Sequence, residues 1–350
     1  MSRPPRAVAR AQRKGRGRAI VRRIGIRRGL LILLALAAFT VGALAVTYMG
    51  PGPRAVNGKT TTVFLERGSG LGAIADKLDE AGVISSSLLF MIIAHAGGDA
   101  TALRAGEYEF PSGASMRRVL NDIRAGRVVR HQVTVPEGFT SQMAVDRLLA
   151  EPDLVGPITT PPEGAILPAT YDFQRGETRA VVLKRMTEAQ DKLLAQLWAT
   201  RSPGLPFKTP QEAVTLASIV EKETGLAAER PRIAAVFLNR LAQGMRLESD
   251  PTIIYGVNKG RPLGRPILLS ELKGLTPYNT YLIDGLPPTP IANPGKASLQ
   301  AVLNPPKSTE LFFVADGTGG HVFASTFEEH QRNVVRWRKI YAEQRARGVR

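Results

Sequence analysis

Two carboxylates near the middle of the chain have the placement that acid–base chemistry needs. Glu221 and Glu223 close the run Pro210-Gln211-Glu212-Ala213-Val214-Thr215-Leu216-Ala217-Ser218-Ile219-Val220-Glu221-Lys222-Glu223-Thr224, which opens as a helix with proline in its first turn and is stopped by Gly225. At about 100° per residue, Leu216, Ile219, Val220 and Glu223 share one stripe, Lys222 points to the other side, and Glu221 lies on the Val214/Ala217 flank. A carboxyl desolvated beside apolar side chains has its charged form disfavoured, so it holds a proton near neutral pH and can donate it. A general acid acting on a glycosidic oxygen must do this. The same pair also reads as solvated helix surface, and the pattern alone leaves both readings open.

Two further clusters favour chemistry. Asn239-Arg240-Leu241 and Gly244-Met245-Arg246-Leu247-Glu248-Ser249-Asp250-Pro251-Thr252-Ile253-Ile254-Tyr255-Gly256 set polar groups between apolar ones. Thr276-Pro277-Tyr278-Asn279-Thr280-Tyr281, Gly285-Leu286-Pro287-Pro288 and Ile291-Ala292-Asn293-Pro294-Gly295 read as loops that hold aromatic faces and amides rigidly. Such a cleft suits a polyhydroxylated, N-acetylated sugar. Tight surface turns have the same composition.

Other chemistries find little support. The chain has no cysteine, which removes thiolate sites and thiol nucleophiles. His95, His131, His321 and His330 are scattered without HExxH spacing, so no metal and no cofactor are expected, and His321 reads as structural. No serine sits in a Gly-x-Ser-x-Gly elbow. Gly68, Gly70 and Ala73 imitate a dinucleotide fingerprint, but no acidic strand end follows about 20 residues later, and they read as turn and cap residues.

The elements that position these groups begin with an anchor. Of the net charge of +17 over 350 residues, eleven basic residues lie in 1–28 without an acid, so +6 belongs to the other 322 residues. Leu30 to Met49 carries no charge and is long enough to cross a bilayer, with the basic arm on the cytoplasmic side and the rest exported. The arm is thereby explained without nucleic acid. A cleaved signal peptide competes, with Ala43-Leu44-Ala45 as the cleavage-like site, but the apolar run exceeds the usual ~7–15-residue signal core. Beyond the Pro51-Gly52-Pro53 break, strand Thr60–Leu65, helix Leu71–Leu78, helix Ser85–Ala96, strand Gly106–Phe110 and helix Met116–Ala125 form one small unit. A strand at Arg130–Val135 opens a second, with a helix after Thr140, loop from Glu151 to Pro168, a long helix from Thr178 to Thr200, a hairpin Leu311–Ser325 and a helix Phe327–Arg345.

Ser218-Ile219-Val220-Glu221-Lys222-Glu223-Thr224, Arg246-Leu247 with Asp250-Pro251-Thr252, Tyr278-Asn279-Thr280-Tyr281, Gly285-Leu286-Pro287-Pro288, and Phe313-Val314-Ala315-Asp316-Gly317 with Gly319-Gly320-His321 resemble the endolytic murein transglycosylase family of bacteria. The likeness runs from about Leu30 to Arg338. It implies an α+β chain of basic cytoplasmic arm (1–28), single transmembrane helix (29–50), linker (51–59), LysM-like α+β subdomain (60–130) and α+β catalytic domain (131–345). It implies scission of the β-1,4 bond between N-acetylmuramic acid and N-acetylglucosamine, leaving 1,6-anhydromuramyl ends, with Glu223 as general acid and then base. Supporting, substrate-binding roles fall on Glu221, Asp250, Tyr255, Tyr278 and Asn279. The implied setting is the inner membrane with the catalytic domain periplasmic, beside peptidoglycan synthases of the penicillin-binding type. The alternative of another class is a non-catalytic peptidoglycan-binding scaffold. Glu248 stands where the family commonly has Gln, Thr289 where Gly usually follows the prolines, and Ala169 where a Glu-Gly…Phe-Pro-Asp-Thr-Tyr pattern has Asp.

Overall fold

The computed structural model describes residues 29–346; the basic arm at 1–28, and the topology read from it, lie outside the described residues. The chain divides into two compact units, one ending at Val129 and one starting at Arg130. Both mix helix and strand, as the α+β reading requires, and every sheet among the described residues is two-stranded.

The first unit starts with helix α1, Gly29–Met49, 21 residues of mean hydropathy 2.6 with none of the span buried. At 1.5 Å per residue this is about 31 Å, the thickness of a bilayer's hydrocarbon layer. Then come β1 (Thr60–Leu65), α2 (Leu71–Glu80), α3 (Ser87–Ala96), β2 (Gly106–Pro111) and α4 (Met116–Ala125). β1 and β2 pair antiparallel from Thr60 opposite Pro111 to Leu65 opposite Gly106. The α2 stripe Ile74, Ala75 and Leu78 is buried in a core with Phe90, Tyr108 and Phe110. α3 starts later than its periodicity predicts because the Ser86 hydroxyl accepts the Leu89 N–H at 3.2 Å and acts as its cap.

The second unit runs β3 (His131–Thr134), α5 (Ser141–Leu149), β4 (Leu154–Val155), β5 (Thr170–Phe173), β6 (Glu177–Thr178), α6 (Arg179–Ala199), α7 (Pro210–Glu223), α8 (Arg230–Ala242), α9 (Asp250–Asn258), α10 (Leu269–Leu272), α11 (Lys296–Leu303), β7 (Phe312–Ala315), β8 (His321–Ala324) and α12 (Phe327–Ala346). Helix α7 is its axis. Every residue from Ala213 to Glu221 is buried, in a core shared with Phe237 of α8 and Leu299 and Val302 of α11. The start is secured by a capping box in which the Thr209 hydroxyl accepts the Glu212 N–H and the Glu212 carboxylate accepts the Thr209 N–H.

Three elements differ from the sequence expectations. The stretch Asp250–Asn258, with Tyr255 and Gly256, is helical where the polar cluster pointed to no helix; Pro251 in the first turn starts it. α8 was invisible as a helix because Ile233 to Leu238 is one continuous buried apolar run, without the polar face that yields a 3.6 period. The two-residue β4, in a stretch expected to be irregular, exists through pairing with β6, a partner distant in sequence.

Candidate active site

Glu223 is the last residue of α7. Thr224 is extended (φ −138°, ψ 135°), so the helix stops immediately behind the carboxylate. Partial negative charge at a helix C-terminus adds to the cost of ionising an acid there. Burial pushes the Glu223 carboxyl up to about 7, with Asp250 adding like-charge repulsion and Ser249 and Arg240 opposing the rise. Leu216, Ile219 and Val220 of the predicted stripe are completely buried, while Lys222 is exposed.

The group that touches Glu223 is one that sequence reasoning did not select. The buried Ser249 hydroxyl donates to Glu223 Oε1. Ser249 precedes α9 but makes no capping bond with its side chain, which leaves the hydroxyl for Glu223. Its backbone is pinned: its N–H donates to Thr280 Oγ1 at 3.0 Å, its carbonyl accepts the Thr252 hydroxyl at 2.6 Å, and the Thr252 and Thr280 hydroxyls lie 2.9 Å apart. Just before it, Glu248 adopts φ +54°, a left-handed conformation uncommon for a non-glycine residue. Buried Arg240 holds that turn by donating to the Arg246 and Leu247 carbonyls and to Glu248 Oε2 at 3.0–3.1 Å. The signal in the sequence was the Ser-Asp-Pro helix start, where a serine is ordinarily read as a cap.

Asp250 stands beside this pair and accepts the Tyr281 hydroxyl at Oδ1, 2.8 Å. Burial, and then the Asp250 charge and hydrogen bond, push the Tyr281 phenol up and keep it a donor. Tyr255 and Tyr278 meet each other, with ring centroids 4.8 Å apart. The Tyr255 hydroxyl donates to Glu163 Oε2 at 3.1 Å, and the Tyr278 hydroxyl lies 2.8 Å from Thr289 Oγ1, a bond that glycine at 289 would lack. Glu163, unselected from sequence, is raised by burial, partly offset by bonds from the Ser141 N–H and Tyr255.

The other two selected residues are occupied by the fold. The buried Asn279 amide donates to the Leu272 and Gly274 carbonyls, and its oxygen accepts the Tyr281 N–H, so it shapes the loop carrying Tyr278 and Tyr281. Glu221, two residues before Glu223, faces α11. Its Oε1 accepts Arg230 Nη2 at 2.8 Å, and its Oε2 accepts the Gly295 N–H at 2.9 Å and the Ser298 hydroxyl at 2.8 Å. Gly295 has no side chain to cap α11, and the Glu221 carboxylate supplies an acceptor and a negative charge at that N-terminus.

His321 pairs with Glu229, its Nδ1 2.7 Å from Oε2, in a position that fastens the β7–β8 turn to the loop after Glu223. Ala169 contributes its carbonyl to the Val135 N–H.

The arrangement holds one carboxyl protonated near neutrality, with a hydroxyl donor to steady it once charged. Ser249→Ala is expected to raise the Glu223 titration midpoint by about one unit, because a hydrogen bond to a charged group is worth ~1.5–3 kcal/mol and one unit is about 1.4 kcal/mol. Side-chain carboxyl NMR in the variant checks it; an unmoved or lowered midpoint would show that Ser249 does not serve the charged form.

A sequence profile described as the YceG-like family matches residues 63–336. A Bacillus subtilis (strain 168) protein named endolytic murein transglycosylase is 30% identical over 313 residues, covering 78% of this chain and 83% of the relative. A Streptococcus pneumoniae serotype 2 protein of the same name is 30% identical over 327 residues, 79% of this chain but 58% of the relative, so the chain spans less than two thirds of that protein. The 2.6 Å crystal structure of a yceG-like protein from Listeria monocytogenes superposes with a TM-score of 0.50 at 28% identity, covering 78% of this chain and 98% of that one.

Proposed function

Since the chain belongs to the YceG-like family, we propose that it is an endolytic peptidoglycan lytic transglycosylase in which Glu223 carries the chemistry. The observation that carries this reading is the Glu223 carboxyl itself, pushed up to about 7 at the end of a buried helix with the Ser249 hydroxyl against it. In the first step protonated Glu223 gives its proton to the oxygen linking muramic C1 to the next N-acetylglucosamine, and that C–O bond breaks. The C6 hydroxyl of the same muramic residue attacks C1, and the Glu223 carboxylate takes its proton. The product is a 1,6-anhydro end, no water is consumed, and Glu223 finishes in its starting state. Because the nucleophile belongs to the substrate, a second enzyme carboxylate is not needed to activate water. In this reading Asp250 with Tyr281, and Tyr278, meet the substrate, and Ser249 steadies the carboxylate between the two proton transfers.

Other parts of the proposal rest on α1 and the first unit. α1 serves as a single-pass anchor in the cytoplasmic membrane with the arm inside and residue 51 onward outside. The β1-α2-α3-β2 order with antiparallel pairing supports a LysM-like reading of residues 60–130. Synthases of the penicillin-binding type are the proposed neighbours.

The test is a digest of purified glycan strands in water enriched in heavy oxygen, with product masses. Anhydromuramyl ends without label are expected. Labelled reducing ends would show hydrolysis, and binding without cleavage would show a wall-binding scaffold instead.

A further inference from the structure

The first unit has no free swing on α1. Tyr48, in the last turn of α1, packs against the apolar core of the first unit, to which α3 contributes Leu89 and Phe90. The chain leaving α1 is bonded along the turn after β2: Gly52 N–H donates to the Gly113 carbonyl at 3.1 Å, Gly113 N–H to the Pro53 carbonyl at 2.9 Å, and Ala55 N–H to the Ser112 hydroxyl at 3.0 Å. A side chain at residue 52 would collide with the Ala114 carbonyl and touch that of Val83, so the close approach depends on glycine there. If α1 spans the bilayer, its end lies at the edge of the hydrocarbon, and these contacts hold the folded unit at the headgroup layer.

The large apolar side chains that the first unit leaves exposed beyond α1 lie close to this exit. Val56 is 88% exposed, and Leu88 and Ile92 are 63% and 56% exposed on one stripe of α3. Leu88 follows Val83 by five residues, which limits its distance from Val83 to about 18 Å even for an extended chain. α3 has no acidic residue, so nothing on the helix opposes contact with lipid, and Arg54 beside the exit is exposed and able to meet a phosphate.

We propose that the Leu88/Ile92 stripe of α3, with Val56, dips into the outer interface of the bilayer in which α1 is anchored, so that the first unit lies on the membrane as well as being tethered to it. The occupant is lipid acyl chain and glycerol backbone, engaged by apolar burial. The inference rests on the anchor reading of α1 under Proposed function, and the experiment separates the two.

The chain has no cysteine, so single-site labels are unambiguous. Full-length protein carrying a fluorophore at Phe39→Cys, Leu88→Cys, Ile92→Cys or Arg67→Cys is reconstituted into phosphatidylcholine vesicles with and without nitroxide-bearing lipid. Phe39 reports the anchor. Arg67 lies two residues beyond the far end of β1, whose six residues span roughly 20 Å, and is the aqueous reference. Quenching at 88 and 92 is expected to exceed that at 67 by about twofold or more, as for an apolar face buried in the interface. Quenching at 39 with 88 and 92 matching 67 overturns the inference and leaves the anchor standing. No quenching at 39 overturns both. Labels at 88 that report on each other between copies, without lipid quenching, would assign the stripe to a second copy and overturn the inference.

Discussion

Glu223→Gln is expected to abolish turnover and, at alkaline pH, to make the protein more stable. The amide cannot donate the proton that the leaving oxygen needs or accept one from the C6 hydroxyl, so both steps fail together, a loss of at least ~10³-fold being usual for the group at the centre of acid–base catalysis. The stability gain follows from linkage. Glu223 has a folded-state pKa raised from an ordinary 4.5 to about 7. Between those values the folded chain binds the proton more strongly than the unfolded chain, so folding loses stability as pH rises through that window. Above about pH 7 the wild type carries the full cost of a desolvated charge, on the order of 3 kcal/mol, and glutamine removes it. At pH 4 both states of the wild type are mostly protonated and the difference vanishes. Thermal unfolding of both proteins at pH 4 and pH 8.5 measures this; equal midpoints at pH 8.5 would mean that Glu223 is better solvated than its surroundings imply. The same titration predicts that wild-type activity falls as pH climbs through about 7, because the first step uses the protonated form.

Glu221→Ala is expected to do the reverse, destabilising the second unit while leaving chemistry in the molecules that remain folded. Removing one member of a buried ion pair costs about 3–5 kcal/mol because the partner is left charged without compensation. Arg230 would keep Glu137, 3.0 Å from its Nη2, but its Nε is already buried without a partner. The Gly295 N–H and Ser298 hydroxyl at the start of α11 would lose their acceptor as well. Glu221→Gln keeps the shape and one acceptor oxygen but turns an amide N–H₂ toward either Arg230 or the Gly295 N–H, so a smaller loss is expected. Denaturation midpoints and turnover per folded molecule read the two effects separately. If Glu221→Gln abolished turnover with its stability unchanged, the roles of Glu221 and Glu223 would have to be exchanged.

Helix α7 and its stripe were legible because the period of apolar residues, the proline near its start and the stop at Gly225 are local features. The apolar span of α1 and the β1-α2-α3-β2-α4 order were legible for the same reason. α8 was not, since a helix buried on all sides shows no alternation of polar and apolar faces. Asn279 was selected as a substrate-binding residue, yet an amide in a sequence does not reveal whether backbone carbonyls will consume its donors, as those of Leu272 and Gly274 do. Ser249 was not singled out within its polar cluster because nothing local to Ser-Asp-Pro reveals where a hydroxyl points, and only the fold shows it turned to Glu223.

By itself the sequence determined that a carboxylate sits on the apolar side of one helix, that a bilayer-length helix precedes two mixed units, and which family's motifs occur in order. The family resemblance assigned the acid's role to Glu223 and a supporting role to Glu221, but the sequence did not determine what surrounds either carboxylate. Tertiary structure decided those surroundings, since the groups within a few ångströms of each carboxylate come from distant parts of the chain. Glu221 receives Arg230, Gly295 and Ser298, the last two from more than seventy residues away, and so braces the start of α11. Glu223 receives the Ser249 hydroxyl and lies beside Asp250, and burial pushes its carboxyl up to about 7.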